Sequence, residues 1–236
     1  MFSLVITSVV IFGNLVLLSL MLPMEIVREI LVEGCCIAAM LSAPISYFVG
    51  LKLLDINVLA EKLEHAVNHD NLTGACTRAS FYQRLERIED QDLVVIVADI
   101  DHFKQVNDRY GHKVGDVALR QFTGTLVRNC REDDVVARFG GEEFIILLNG
   151  VREDEGVATA QRLCDCVRAK KIYADGHELK ITASFGVAAM TSVSQVEEAF
   201  QKADLAAYRA KREGRDQVCL YDPEKDGEVV TPQVAA

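Results

Sequence analysis

An α+β domain with the split βαβ, ferredoxin-like order of elements is the fold class this sequence predicts, behind an apolar N-terminal segment. Three observations predict it. Charge is unevenly divided: residues 1–51 hold only Glu25, Arg28, Glu29 and Glu33, while the other 185 of the 236 residues carry 56 of the 60 Asp, Glu, Lys and Arg. That density, about 30%, is ordinary for a water-soluble globular domain. Within the soluble part, strand-like and helix-like runs follow the order β, α, β-hairpin, α, β. The first of those strand-like runs ends on acids, Asp99 and Asp101.

The elements follow in chain order. Met1 to Leu22 has no charge, and its length as a helix, about 33 Å, suffices to cross a hydrocarbon core of about 30 Å. It lacks the basic start and small-residue cleavage site of a signal peptide, so an uncleaved anchor is expected. Gly34 to Leu51 is a second uncharged run, whose Pro44 a membrane helix tolerates. The expectation is a membrane anchor over 1–52 with transmembrane helices at about 2–22 and 34–52; one span plus a buried helix is the alternative. Lys52 and Lys62 after the second run, against Arg28 alone before it, put the C-terminal domain in the cytoplasm of a multi-pass inner-membrane protein.

Leu53, Ile56, Ala60, Leu63 and Val67 recur at spacings 3, 4, 3, 4. This is the seam of a short parallel coiled coil, assigned to a helical stalk over 53–69; an amphipathic helix packed on its own domain has the same pattern. The soluble domain is assigned to 70–221. Leu93 to Ala98 is a continuous apolar run with three valines and an isoleucine, the mark of a central strand. Helices are expected at 102–110 and 114–130, then strands at 134–139 and 144–149 joined by Gly140-Gly141-Glu142-Glu143 as hairpin punctuation. A helix at 153–171, a strand at 180–190, a helix at 195–213 and a short strand at 217–221 complete it, and 222–236 is expected to be a flexible tail.

The soluble part has a net charge near -8, without the basic balance that a polymeric nucleic acid demands. A phosphate ligand must therefore be held by local devices. Seven cysteines with no CxxC pair fit reduced thiols in a cytosolic domain.

Topology then becomes chemistry. In a split βαβ sheet the strand 93–98 lies antiparallel to the strand 144–149, so Asp99 and Glu142 meet although 43 positions separate them. Two carboxylates brought together repel unless a cation lies between them, and hard oxygen ligands with water positions left open suit Mg²⁺. Such a site supports two-metal phosphoryl chemistry. For Asp101 taken alone, capping of the next helix is the expectation.

Several motifs in order resemble the GGDEF-type diguanylate cyclases: Asp70-Asn71-Leu72-Thr73-Gly74, the run from Asp99 to Asp108, Gly111-His112 with Gly115-Asp116, Gly140-Gly141-Glu142-Glu143-Phe144, then Ala203-Asp204 and Ala210-Lys211 with Gly214-Arg215. The likeness covers Asp70 to Asp216, nearly the whole soluble part. It implies a palm-type nucleotidyl-cyclase fold and condensation of two GTP into cyclic di-GMP and two diphosphates across an antiparallel homodimer. By matched position, Asp99, the Ile100 carbonyl and Glu142 would bind Mg²⁺, two ions per active site with Mn²⁺ as a substitute. Asn107 and Asp116 would read the guanine edge with His112 near the nucleotide; Lys104 would offset transition-state charge; Lys211 and Arg215 would hold the terminal phosphates. Either Glu142 or a metal-held hydroxide would take the proton of the attacking 3′-hydroxyl.

Arg131 and Asp134 form an RxxD pair with five residues between Asp134 and Gly140; this looks like the family's product-inhibition site, where Arg162 would supply a further contact. Ala75-Cys76-Thr77-Arg78 departs from the family's usual Leu, a variable residue, then Asn-Arg, so the stalk junction is expected to be coupled differently. A non-catalytic cyclic di-GMP receptor and another palm-type nucleotide cyclase are the competing functions. The glutamate at the third motif position and the complete Asn107 and Asp116 set favour the active cyclase.

Overall fold

The computed structural model describes residues 14, 16, 17, 23–89, 91–227 and 229, without the side chains of 24, 35, 38, 39 and 57–67. The chain divides into two compact units, Met1–Lys62 and Leu63–Ala236.

Helix α1 starts at Met24 and continues to Asn68. Nothing from Met24 to Gly34 breaks a helix, so the expected connection between two spans is itself helical, carrying Glu25, Arg28, Glu29 and Glu33. The segment 34–52 is therefore the middle of a longer helix, with Lys52 and Asp55 beyond it. A continuous helix thus replaces the very short connection expected between two spans, and no helix among the described residues is long and apolar enough to cross a membrane. The other expected span, 2–22, lies outside the described residues apart from 14, 16 and 17. The stalk positions 53–68 are helical; Leu53 and Ile56 are 55% and 59% exposed, and the side chains of the remaining seam positions lie outside the description.

The second unit keeps the expected elements in order and adds a short strand and helix at its start, a β-hairpin before β7 and a short helix at its end. Its strands and helices are β1 Cys76–Thr77, α2 Arg78–Leu85, β2 Leu93–Ile100, α3 Phe103–Tyr110, α4 His112–Arg128, β3 Val135–Arg138, β4 Glu143–Asn149, α5 Glu153–Ala169, β5 Ile172–Ala174, β6 His177–Leu179, β7 Ala183–Met190, α6 Val196–Arg212, β8 Val218–Leu220 and α7 Pro223–Asp226. Six strands form one sheet in the order β1-β3-β4-β2-β7-β8, with β2 antiparallel to both β4 and β7. Every residue of β2 is buried, because helices cover both faces of this central strand.

Alternation along the strands divides the core. Val94, Ile96, Ala98, Phe144, Ile146 and Leu148 pack with α4 and α5 through Leu119, Phe122, Leu126 and Leu163. Val95, Val97, Ile145 and Leu147 pack on the other face with α2 and α6 through Phe81, Leu85, Ala199, Ala203 and Ala207. Helix α6 presents alanines to the sheet, and Gly186 on β7 lies directly beneath it: a Cβ there would come within 2.9 Å of the Ala207 Cα. The small residues let helix and strand backbones touch, which brings the end of α6 down to the sheet edge.

The tail expectation fails for its first residues. Asp222 caps α7, its carboxylate accepting the Glu224 N–H at 3.1 Å, with Pro223 at the first helical position. The Asp226 carboxylate is buried, accepts the Asp222 N–H at 2.8 Å and faces Arg209 at 3.4 Å, so this turn is fastened to α6. A short helix with both ends tied replaces loose chain here.

Candidate active site

Register explains the first pair of carboxylates. Asp99 pairs with Glu143 on β4 and with Ser184 on β7. Glu142 precedes β4 by one residue, and its carbonyl accepts the Ile100 N–H at 3.4 Å. Asp99, Ile100 and Glu142 thus share one edge, as the sequence requires.

Asp99 projects to the α6 face, where Lys211 Nζ reaches its Oδ2 at 2.8 Å. One helical turn separates Lys211 from Ala207, the residue seated over Gly186, and that spacing delivers the ammonium to the edge. Asp99 is nonetheless a weaker acid than usual. Burial pushes its carboxyl up, Lys211 pulls it down by hydrogen bond and charge, and Asp101 and Asp204 push it up again. Glu142 is also raised, by burial first and then by the charge of Asp99, against a counterpull from Lys211. The edge therefore gathers more negative charge than Lys211 offsets.

Among the described residues no group of three or more His, Cys, Asp or Glu is gathered to hold a metal. The donor set suits one all the same. Two carboxylates that are both weaker acids than usual, next to the main chain of Ile100, offer oxygen ligands to a hard cation that keeps water and takes substrate phosphate as its other ligands.

The guanine-reading candidates lie on α3 and α4. Gly111, at φ 83, ends one helix and begins the next, a conformation an L side chain resists. The sharp junction folds α4 back so that a Cβ on Gly115 would lie 3.0 Å from Asn107 Cγ. Asn107 and Asp116, both half-buried, are thereby set at one helix junction. His112 is exposed at the first position of α4, and Lys104 is exposed on α3. Arg215 is exposed in the turn after α6.

Asp101 corrects an expectation. It caps no helix: its carboxylate accepts Thr182 Oγ1 and Ser184 Oγ at 2.7 Å each, and the Asp216 N–H at 3.0 Å. The first position before α3 is His102, at φ 55 with no side-chain cap. Asp101 directly follows β2, next to β7 in the sheet, and its carboxylate turns to the hydroxyls at the β7 entry instead of to the helix.

The Asp70–Gly74 motif is a closed turn. Asp70 Oδ1 accepts the Thr73 N–H at 2.8 Å, Thr73 Oγ1 at 2.6 Å and Arg138 Nη1 at 2.9 Å. Burial alone would raise the Asp70 carboxyl, but these donors together hold it below its ordinary value. The same guanidinium donates to the Gly140 carbonyl at 3.2 Å and through Nη2 to the Gly141 carbonyl at 2.7 Å. One arginine thus ties the start of the domain to the turn that holds Glu142.

In the RxxD segment, Asp134 accepts the Arg131 N–H at 2.7 Å and the Asn149 N–H at 3.3 Å, which leaves the Arg131 side chain exposed on a stiffened turn. Arg162 Nη2 donates to the Asn129 carbonyl at 2.9 Å. Burial, with Asp134 beside it and Arg162 opposing, pushes the Cys130 thiol up to about 12. Arg131, Asp134 and Arg162 therefore converge around Asn129 and Cys130.

Sequence reasoning assigned no role to Asp204, Arg138 or Arg168. Asp204 and Lys211 are seven apart on one helix, a same-face spacing that pointed to Asp204; nothing local pointed to Arg138 or Arg168.

With this geometry in view, the family described as diguanylate cyclase, GGDEF domain, matches residues 67–217. The chain is 41% identical over 155 residues to the diguanylate cyclase DgcP of Pseudomonas aeruginosa, covering 63% of this chain and 23% of that protein. It is 37% identical over 166 residues to the diguanylate cyclase DgcM of Escherichia coli, covering 68% of this chain and 40% of that protein. It spans less than half the length of these curated relatives. Among solved structures, the coiled coil and GGDEF domain of DgcB from Caulobacter crescentus, in complex with c-di-GMP, superimposes with a TM-score of 0.67 at 23% identity, covering 77% of this chain and 99% of that one, a likeness of fold. The diguanylate cyclase SiaD from Pseudomonas aeruginosa, in complex with its activator SiaC, gives 0.63 at 28% identity over 92% and 87% of the two chains.

Proposed function

This chain belongs to the GGDEF diguanylate cyclase family, and on that premise we propose that it condenses two GTP into cyclic di-GMP, releasing two diphosphates. The observation that carries the reading is the meeting of Asp99, Glu142 and Lys211 at the end of β2, with Lys211 Nζ 2.8 Å from Asp99. Asp99, the Ile100 carbonyl and Glu142 would hold Mg²⁺, which supplies charge stabilisation on the attacking oxygen and the phosphates. Asn107 and Asp116 orient the guanine, the first offering both a donor and an acceptor and the second an acceptor. Lys211 exchanges Asp99 for the terminal phosphates when nucleotide enters, and Arg215 joins it there. Lys104 offsets the charge that develops at the phosphorus in flight. Glu142, made more basic by burial and by Asp99, is suited to accept the proton of the 3′-hydroxyl.

Each subunit would hold one GTP, so two subunits must face each other, and the helical stretch 53–68 with exposed Leu53 and Ile56 supports pairing there. Attachment to the cytoplasmic membrane face is supported by the charge-free run 1–22 and the lysines that follow residue 51. Product inhibition at Arg131, Asp134 and Arg162 is supported by their convergence, a free guanidinium fork being suited to a guanine edge or phosphate.

Incubation of the purified chain with GTP and Mg²⁺ tests the reading: cyclic di-GMP should appear with two diphosphates for each molecule, at a specific activity that climbs with protein concentration. Cyclic di-GMP binding without turnover would replace it with a receptor, and a different cyclic product with another cyclase. Arg131→Ala should keep the initial rate and relieve the slowdown as product accumulates; superimposable progress curves would remove the inhibitory site.

A further inference from the structure

The turn between α6 and β8 has an unusual backbone. Gly214 sits at φ 129, and the next two residues, Arg215 at φ 64 and Asp216 at φ 50, lie consecutively in the left-handed region. L side chains avoid that region, and two in succession persist only where their surroundings over-determine them.

Those surroundings are explicit. The Arg215 N–H donates to the Ala210 carbonyl at 2.9 Å, closing the end of α6. The Asp216 N–H donates to Asp101 Oδ2 at 3.0 Å. Arg168 on α5 grips Asp216 twice, Nε to Oδ2 at 2.7 Å and Nη2 to the backbone carbonyl at 2.8 Å. Cys164, one turn earlier on α5, points its thiol at Asp216 Oδ1 at 3.8 Å. Asp101 in turn is 6% exposed and immobilised by Thr182 and Ser184. A strand end and a helix thus hold the residue after Arg215 from two sides, while Arg215 itself is exposed.

We propose that Asp101 and Arg168 are positioning residues for Arg215: they lock the left-handed pair from which the guanidinium meets the terminal phosphates of the nucleotide. The proposal rests on the assignment of Arg215 given above. Neither residue touches the nucleotide. Asp101 spends its carboxylate on the turn, accepting three uncharged donors, although it lies only two residues from Asp99. Arg168 makes a forked contact that no lysine reproduces, because one ammonium cannot donate along both of its directions. With the latch removed, the pair relaxes toward ordinary backbone angles and the guanidinium loses its fixed origin.

The test compares binding of 3′-deoxy-GTP, which lacks the attacking hydroxyl, with binding of GMP, which lacks the terminal phosphates. It uses the full chain with Mg²⁺. Arg168→Ala should weaken 3′-deoxy-GTP about fivefold, the scale of one ordinary lost hydrogen bond. It should leave GMP unchanged and add nothing in an Arg215→Ala background, and Arg168→Lys should behave as Arg168→Ala does. Equal weakening of both nucleotides, no weakening, or additivity with Arg215→Ala would overturn the latch. Asp101→Asn should give the same selective loss; should it fail to fold, the Arg168 series decides alone. A wild-type chain that binds neither nucleotide sinks the cyclase reading itself, whereas a binding wild type with an indifferent Arg168→Ala sinks only the latch.

Discussion

Two regions of the soluble unit each set an aspartate against a basic residue at nearly the same distance, and they behave oppositely. Asp70 and Arg138 are 2.9 Å apart; Asp99 and Lys211 are 2.8 Å apart. At Asp70 burial pushes the carboxyl up, but the Thr73 donors and Arg138 together outweigh it and hold the carboxyl below its ordinary value. At Asp99 burial and the nearby acids outweigh Lys211, and the carboxyl is raised. The first region is complete within the chain and fastens it. The second carries surplus negative charge, which a cation from outside would relieve. The contrast separates a structural ion pair from a functional one by what surrounds the pair, since contact distance alone does not.

The largest expected effect strikes the open region. Glu142→Gln keeps the shape and removes the charge, so turnover should fall about 10³-fold or more while the urea midpoint stays near wild type. Equal product formation at saturating Mg²⁺ would erase the distinction between the regions.

Arg138→Ala strikes the closed region, and its primary effect should be on stability. Loss of a mostly buried guanidinium that serves Asp70 and two carbonyls should cost about 1.5–3 kcal/mol, read as a lower urea midpoint at unchanged slope. Some loss of rate should accompany it, because Gly140 and Gly141 hold Glu142. A variant that loses rate with no loss of stability would move Arg138 into the functional region.

The smallest effect sharpens the comparison by sign. Asp70 is held below 3.8, so the stability it contributes is present above that value and is lost as pH falls through its folded value. Asp99 is raised above 3.8, so the native chain holds that proton more tightly than the unfolded chain, and stability declines as pH rises from 3.8 through the folded value. Without metal, Asp70→Asn should therefore be weakest against wild type at neutral pH, with the gap closing in acid. Asp99→Asn should gain on wild type as pH rises. Denaturation midpoints of the two variants that move in the same direction with pH would show that the regions do not differ.

How far these features were legible depends on how locally each is encoded. The buried strand Leu93–Ile100, the long helices and the Gly140-Gly141 hairpin were readable because periodicity and turn chemistry are local. The β5–β6 hairpin was also written locally, in Asp175-Gly176 at φ 49 and 77, and was missed among strands only three residues long. The meeting of Asp99 with Glu142 was legible because strand order and period-two register fix which residues face each other across a sheet. The sequence by itself thus determined the division of charge, the order of the long elements, the family motifs and the pair of acids. Only the tertiary structure decided that Asp101 fastens the 214–216 turn, that Arg138 joins two motifs 68 positions apart, and that Asp204 adds its charge to Asp99. Those roles arise from side chains that converge from separate elements, where no spacing along the chain records the distance between them.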